Sequence, residues 1–382
     1  RIAEKDQWIQ KLETQVVEKD RWQKKLEGDI QEQKSGIAEE RKAWASEKKE
    51  FIQENECLKT KIVEQKKCLW ELEKNFKKSP VTIFRKKTIA PLSAELEEKM
   101  NQKTVLITGA GGYIGHHVVK EFLDRGCRVV ASDFIKKGID DRAEFTDIPI
   151  FSGAPNIYEQ LGKPDVLVHL AWRDGFIHNS PAHMEDLSKH VMFLNRMIDG
   201  GLPVLSVMGS MHEVGYWEGA ITASTPCMPQ SQYGIAKNAL RQSLLLYAQN
   251  KSIALRWLRA YYIYGDDTHG SSIFAKLTQA VSDGKKTFPF TSGKNKYDFI
   301  HVEELARQIA AATLQEKENG VINVCTGEPK TLANQVEWYI RANHFDIELE
   351  YGAFPDRPYD SPGVWGDAKT IQSILKAEER KS

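Results

Sequence analysis

The stretch Lys103–Gly115, KTVLITGAGGYIG, decides the fold. Val105, Leu106 and Ile107 form a short β-rich run, Thr108 and Gly109 turn the chain, and Gly112 and Gly115 follow at three-residue steps. Past Gly115 the apolar positions Val118, Val119, Phe122 and Leu123 recur at three and four, the period of a helix. Strand, glycine turn and helix open a dinucleotide-binding βαβ unit. The glycines let the backbone approach a pyrophosphate, and the helix N-terminus offers N–H groups and a partial positive charge. The spacing is G-x-x-G-x-x-G rather than G-x-G-x-x-G, a modest signal alone, because glycine turns also arise for steric reasons. The confirming feature is an acid at the end of the next strand. CRVVASDF supplies Asp133, eighteen residues after Gly115, where a carboxylate can accept both hydroxyls of an adenosine ribose.

At 382 residues the chain is too long for one ordinary domain. Its 53 basic and 53 acidic residues cancel, so charge gives no argument for nucleic acid or an anionic membrane. No eighteen consecutive apolar residues occur, so no membrane span is expected. Cys57, Cys68, Cys127, Cys227 and Cys325 lack paired metal-ligand spacing, which fits a cytoplasmic location and no metal. The chain starts at Arg1, without a signal peptide, and reads as part of something longer.

Residues 1–78 are expected to form a coiled coil. Ile2, Ile9, Val16, Ile30, Ile37, Trp44, Phe51 and Leu58 share one seven-residue register, interrupted by Gln23. The register then shifts by four, to Ile62, Leu69 and Phe76, a stutter. EKDQW at 4–8 returns as EKDRW at 18–22. Such a rod would be on the order of 110 Å long and would join copies of the chain. A single solvated charged helix is the alternative. Ser79-Pro80 stops the pattern, and 79–101 reads as a linker with a basic, solvated patch at Arg85, Lys86 and Lys87.

From residue 102 strands and helices alternate, as in a Rossmann-type doubly wound parallel sheet. Strands are expected at Val105–Ile107, Arg128–Ser132, Ile148–Phe151, Val166–Leu170, Pro203–Val207 and Ile253–Leu258. Tyr233 and Lys237, in QYGIAKNALRQSLL, are one helical turn apart. A phenol normally titrates near 10, and a neighbouring ammonium is expected to lower that value. Upstream, VLSVMGSMHEVG ends a buried strand with Ser210, whose hydroxyl can orient a substrate oxygen. Serine, tyrosine and lysine make a proton-transfer set for a carbinol or carbonyl beside a hydride-exchanging cofactor.

Residues 103–378 resemble the extended short-chain dehydrogenase/reductase superfamily, in its nucleotide-sugar epimerase/dehydratase/reductase branch. The matching motifs are TGAGGYIG (108–115), Asp133, HLAW (169–172), Ser210, YGIAK (233–237), LRAYYIYG (258–265), YDFIHVEELA (297–306), INVCTGEP (322–329) and DRPYD (356–360), in family order. The resemblance implies a Rossmann domain over 102–265 and a smaller sugar-nucleotide part over 266–382, interleaved with it. It places Gly109, Gly112, Tyr113, Ile114, Gly115, Asp133, Phe134, Leu170 and Ala171 at the cofactor, joined by Tyr233 and Lys237. It makes Ser210, Tyr233 and Lys237 the catalytic set and Arg357 the grip on the sugar-nucleotide diphosphate; Ser210, His212, Tyr233 and Tyr262 are also expected to contact the substrate. Asp133 favours NAD(H) over NADP(H), with Lys136 and Lys137 close enough to leave NADP(H) open.

Three positions depart from the pattern: Tyr262 replaces a common asparagine, Tyr297 an arginine and Ala154 an acid. No acid directly follows Ser210, which argues against water elimination. The stretch MHEVGYWEG resembles the subgroup that reduces the 4-keto group of 4-keto-6-deoxy sugar nucleotides. The expected function is therefore NAD(P)-dependent reduction at C4 of a dTDP-4-keto-6-deoxyhexose. A nucleotide-sugar 4-epimerase with tightly bound NAD is the second reading. A coiled-coil scaffold within a polysaccharide-assembly complex is the third, with oligomers built through the rod, a family-type dimer, or both. His212 is expected on the substrate side, and Glu213 is given no role.

Overall fold

The computed structural model describes residues 102–265, 272–356 and 361–380. The coiled coil and linker expected before residue 102 lie outside the described residues, as does Arg357.

Strand β1 (Thr104–Thr108) leads through the glycine turn into α1 (Gly115–Asp124), and β2 (Arg128–Ser132) and β3 (Glu144–Thr146) follow. Next come α2 (Ile157–Gln160), β4 (Val166–His169), α3 (Ala182–Asp199), β5 (Val204–Ser210) and β6 (Gly219–Ile221). Helix α4 (Gln232–Ala248) then precedes β7 (Ala254–Ala260) and β8 (Tyr262–Tyr264). Beyond the undescribed residues 266–271 lie α5 (Ile273–Ser282), β9 (Thr287–Pro289), β10 (Lys296–Tyr297) and β11 (Phe299–His301). Helix α6 (Val302–Leu314), β12 (Gly320–Val324), β13 (Lys330–Thr331) and α7 (Leu332–Ala342) follow. The described chain closes with β14 (Glu348–Glu350), β15 (Gly363–Gly366) and α8 (Lys369–Glu379).

The main sheet runs β12-β7-β5-β4-β1-β2-β3, parallel throughout. The strand order reverses between β1 and β4, and in such sheets ligands bind over the carboxyl ends at that point. Both faces are covered. Val105, Ile107, Val166 and Val168 enter one core cluster with Val118 and Phe122 of α1, while Leu106 and Leu167 enter the other with Phe193 and Leu194 of α3 and Leu240 of α4. That alternation is the two-residue period of a strand with apolar residues on both sides.

One expected strand is corrected. Ile148–Phe151 is a loop ending in a turn, and β3 lies earlier, where Ala131 aligns with Phe145. Pro149 has no N–H to give a ladder, which disfavours a strand there. Two segments cross between the halves of the chain. β12 returns from the C-terminal half to extend the main sheet, and β6 joins the four-stranded sheet β13-β10-β15-β6. Among the described residues no helix is long and apolar enough to cross a membrane.

Candidate active site

The glycine turn lies over the carboxyl ends of β1 and β4. Gly109 adopts φ +71°, and a Cβ there would come within 2.7 Å of the Ala171 amide nitrogen. A Cβ on Gly115 would stand 2.0 Å from the Gly109 carbonyl oxygen. Gly112 donates its N–H to that same oxygen at 3.1 Å. Ile114 precedes α1 without a side-chain cap, so no capping side chain stands between the helix start and an anionic group. Tyr113 reaches across to donate its hydroxyl to the Gly265 carbonyl at 2.6 Å. Asp133 accepts from the Gly111 amide at 2.9 Å and from the Phe134 amide at 2.7 Å, which orients its carboxylate at the strand end. Phe134 beside it is 89% exposed, an apolar face standing out at the mouth of the turn. Leu170 donates its N–H to Thr108 and closes the other side. A cradle that excludes side chains, an uncapped helix start and an oriented acid fit the pyrophosphate and adenosine ribose of NAD.

Past the end of β5, Ser210, Tyr233 and Lys237 come together. The Ser210 side chain acts on the Tyr233 phenol and lowers it. Lys237, 3% exposed, donates to the Met208 carbonyl at 2.8 Å and stands 3.8 Å above the Trp172 ring. Burial pushes the Tyr233 phenol up to about 12, against the pull of Ser210, and the negative charge of Glu213 adds to the rise. This differs from the depressed phenol expected from the Tyr-x-x-x-Lys spacing, because desolvation of the phenolate dominates. Burial likewise pushes Lys237 down to about 7, with Glu213 opposing. At neutral pH the phenol is therefore protonated, and the amine sits at its titration point.

Imidazoles surround the phenol. His178 stacks on Tyr233 with centroids 5.5 Å apart and an interplanar angle of 11°, and His212 meets His178 edge-on at 4.3 Å. Burial pushes His212 down to about 4, helped by His178, and lowers His178, helped by His183, so both favour the neutral form. Trp172 donates its indole N–H to His183 Nδ1 at 3.1 Å. That fixes the tautomer: His183 carries its proton on Nε2 and donates it to the Ile177 carbonyl at 3.0 Å.

His178, His183, Trp172 and Glu213 were not assigned from sequence. Trp172 belongs to the quoted HLAW motif, but nothing in its spacing signals that Lys237 lies on it. His178 sits in a loop with no periodicity to place it. Tyr262 packs its ring against Tyr297 at 4.3 Å and Phe299 at 5.8 Å.

Residues 105–325 match the NAD dependent epimerase/dehydratase family. The chain belongs to that family. It is 42% identical over 269 residues to the dTDP-6-deoxy-L-talose 4-dehydrogenase (NAD(+)) of Aggregatibacter actinomycetemcomitans, covering 69% of this chain and 98% of that protein. It is 25% identical to a probable UDP-arabinose 4-epimerase of Oryza sativa subsp. japonica, over 71% of this chain and 74% of the relative. Among solved structures it resembles the UDP-glucose 4-epimerase of Thermotoga maritima, with a TM-score of 0.62 and 21% identity, covering 71% of this chain and 91% of the other. As a family member the protein is an NAD-dependent enzyme of the extended short-chain dehydrogenase/reductase type.

Proposed function

We propose that the protein interconverts the C4 keto and C4 hydroxyl forms of a dTDP-6-deoxyhexose, in the reductive direction at neutral pH. The Ser210–Tyr233–Lys237 group, with its phenol held protonated, carries this reading. The likeness to a dTDP-6-deoxy-L-talose 4-dehydrogenase over nearly that protein's whole length supports the sugar class.

NAD, held by the glycine turn, Ile114 and Asp133, supplies hydride exchange when bound. Ser210 donates its hydroxyl to the C4 oxygen and orients it. Tyr233 gives its phenolic proton to that oxygen as the carbonyl becomes a carbinol. Lys237 balances the phenolate charge left behind. His178 and His212, favouring the neutral form, line the approach without a competing charge.

The test is NADH absorbance with a dTDP-4-keto-6-deoxyhexose, and NAD with dTDP-6-deoxy-L-talose, in the parent and Tyr233→Phe. Expected are NADH consumption in the first mixture, formation in the second, and at least ~100-fold loss of rate in the variant. Absence of net NADH change, with NAD co-purifying and UDP-sugars interconverting, would replace this reading by a 4-epimerase.

A further inference from the structure

We infer that Glu213 is a positioning residue for the reaction: its buried carboxylate fastens the strand end that carries Ser210 to the helix that carries Tyr233 and Lys237. The inference rests on those three as the proton-transfer set.

Glu213 closes the short 3-10 turn Met211–Glu213 immediately after β5 and is fully buried. Burying a carboxylate costs several kcal/mol unless its lone pairs are filled. Here hydrogen bonds reach it from the turn and from β7, and a second guanidinium stands near it from α4. The Ser210 backbone N–H donates to Oε1 at 2.6 Å, half of a capping box in which the Ser210 hydroxyl accepts from the turn. From β7, the Trp257 indole N–H is shared between both oxygens at 2.9 and 3.0 Å, and Arg259 stands 3.5 Å from Oε2. From α4, Arg241 stands 3.5 Å from the same oxygen. Arg241 lies one turn beyond Lys237 and two beyond Tyr233, on the same stripe of the helix. One carboxylate thus ties both halves of the catalytic group.

The strand accommodates the arrangement. A Cβ on Gly209, the residue before Ser210, would meet the Trp257 indole nitrogen at 2.1 Å and Glu213 Oε1 at 2.8 Å. The indole–carboxylate contact passes over that position and leaves no room for a side chain. An ordinary turn cap needs only the Ser210 contacts. The tryptophan and two guanidiniums go beyond capping, and they reach the elements that fix the Ser210–Tyr233 distance.

The groups facing this centre are few enough to interpret its charge. The two guanidiniums are further held by Cys227 Sγ, at 3.5 Å from Arg241 and 3.8 Å from Arg259, with Asn238 on Arg241 and the Thr222 carbonyl on Arg259. Lys237 meets Trp172, Tyr233 and the Met208 carbonyl, and its charge acts on His169 and His190. Tyr233 meets His178, His183 and His212. The charge of Glu213 raises both Tyr233 and Lys237.

The experiment compares the parent full chain with Glu213→Gln. Titration of the Lys237 side chain by NMR, assigned through its loss in Lys237→Met, needs no substrate. Its midpoint is expected to fall by about one pH unit once the carboxylate charge is gone. In the NADH assay kcat is expected to fall at least ~30-fold with KM for the sugar within about threefold. A folded Glu213→Gln enzyme with parental midpoint and kcat overturns the inference. If Glu213→Gln does not fold, Arg241→Met decides, since it unties only the helix. A roughly tenfold loss of kcat that Arg241→Lys restores supports the inference, and parental kcat in Arg241→Met overturns it. Full activity in Tyr233→Phe would instead overturn the proton-transfer reading itself, a result separable from an unmoved Lys237 midpoint.

Discussion

Replacing Trp172 with leucine tests what sets the charge of Lys237. The ammonium lies 3.8 Å over the indole and donates to the Met208 carbonyl at 2.8 Å, in a site that leaves it 3% exposed. Burial pushes it down to about 7 and Glu213 pulls it up. A desolvated cation over an indole is stabilised by roughly 2 kcal/mol. At ~1.4 kcal/mol per pH unit, losing that contact lowers Lys237 by about 1.5 units. Leucine keeps the wall apolar, so the burial that opposes the charge remains. If the ammonium is the active form, the alkaline limb of kcat for reduction moves down by the same amount. Stability follows with a defined sign. Lys237 titrates lower folded than unfolded, where it has the ordinary lysine value of 10.5. Between those values the unfolded chain binds the extra proton, so stability rises with pH from about 7 to 10.5. In Trp172→Leu that rise begins about 1.5 units lower than in the parent. The assays are kcat against pH and thermal unfolding against pH. An alkaline limb within about 0.3 unit of the parent's, in a folded variant, would falsify the role given to the indole.

Two further outcomes concern the cofactor. Gly115→Ala places a methyl group 2.0 Å from the Gly109 carbonyl and 2.7 Å from that of Ala110. NADH affinity, read by fluorescence titration, is expected to fall at least ~100-fold, and parental affinity would show that the turn does not hold the pyrophosphate. Asp133→Asn keeps an acceptor for only one of the Gly111 and Phe134 amides, which donate to different carboxylate oxygens, and removes the charge that disfavours a ribose phosphate. The NADPH-to-NADH ratio of kcat/KM is expected to rise about tenfold, and an unchanged ratio would leave cofactor choice to other residues.

The parts legible in the sequence share one physical property: their chemistry follows from local spacing. Val105, Leu106 and Ile107 announce β1 because a strand buried on both faces needs an unbroken apolar run, and Arg128–Ser132 reads the same way. Tyr233 and Lys237 fall on one helical face whatever surrounds them. Ile148–Phe151 misleads because the run is apolar, while Pro149 and the actual pairing of β2 with Glu144–Thr146 depend on the loop before it. The return of β12 to the far edge of the main sheet is a long-range event that INVCTGEP does not encode locally. The same distinction explains the site. The proposed proton-transfer set is a spacing, whereas its environment comes from separate elements. Trp172 arrives after β4, His178 from the following loop and Glu213 from the turn after β5. The depressed phenol expected from a neighbouring lysine fails for that reason, because desolvation dominates both the phenol and the amine.

That joint burial explains the histidines. His169 is hydrogen-bonded to Thr108 at 2.8 Å and to His190 at 2.9 Å, a buried chain that runs from the end of β1 to α3. Burial drives His169 well below its ordinary value and His190 to about 3, and in both the positive charge of Lys237 adds to the effect. Interactions between titrating groups are reciprocal, so a protonated imidazole there would depress Lys237 by a like amount. Keeping the pair neutral leaves the ammonium as the cation beside Tyr233. Trp172 extends the same logic, since it stacks on His190 at 4.5 Å while Lys237 stands 3.8 Å from its ring. Neutral polar groups thus fill the space behind the amine, satisfying buried hydrogen bonds without competing charge. Glu213 supplies the opposing negative charge from behind the serine strand. The charge of Lys237 is thus set by the balance between that carboxylate and the burial it offsets.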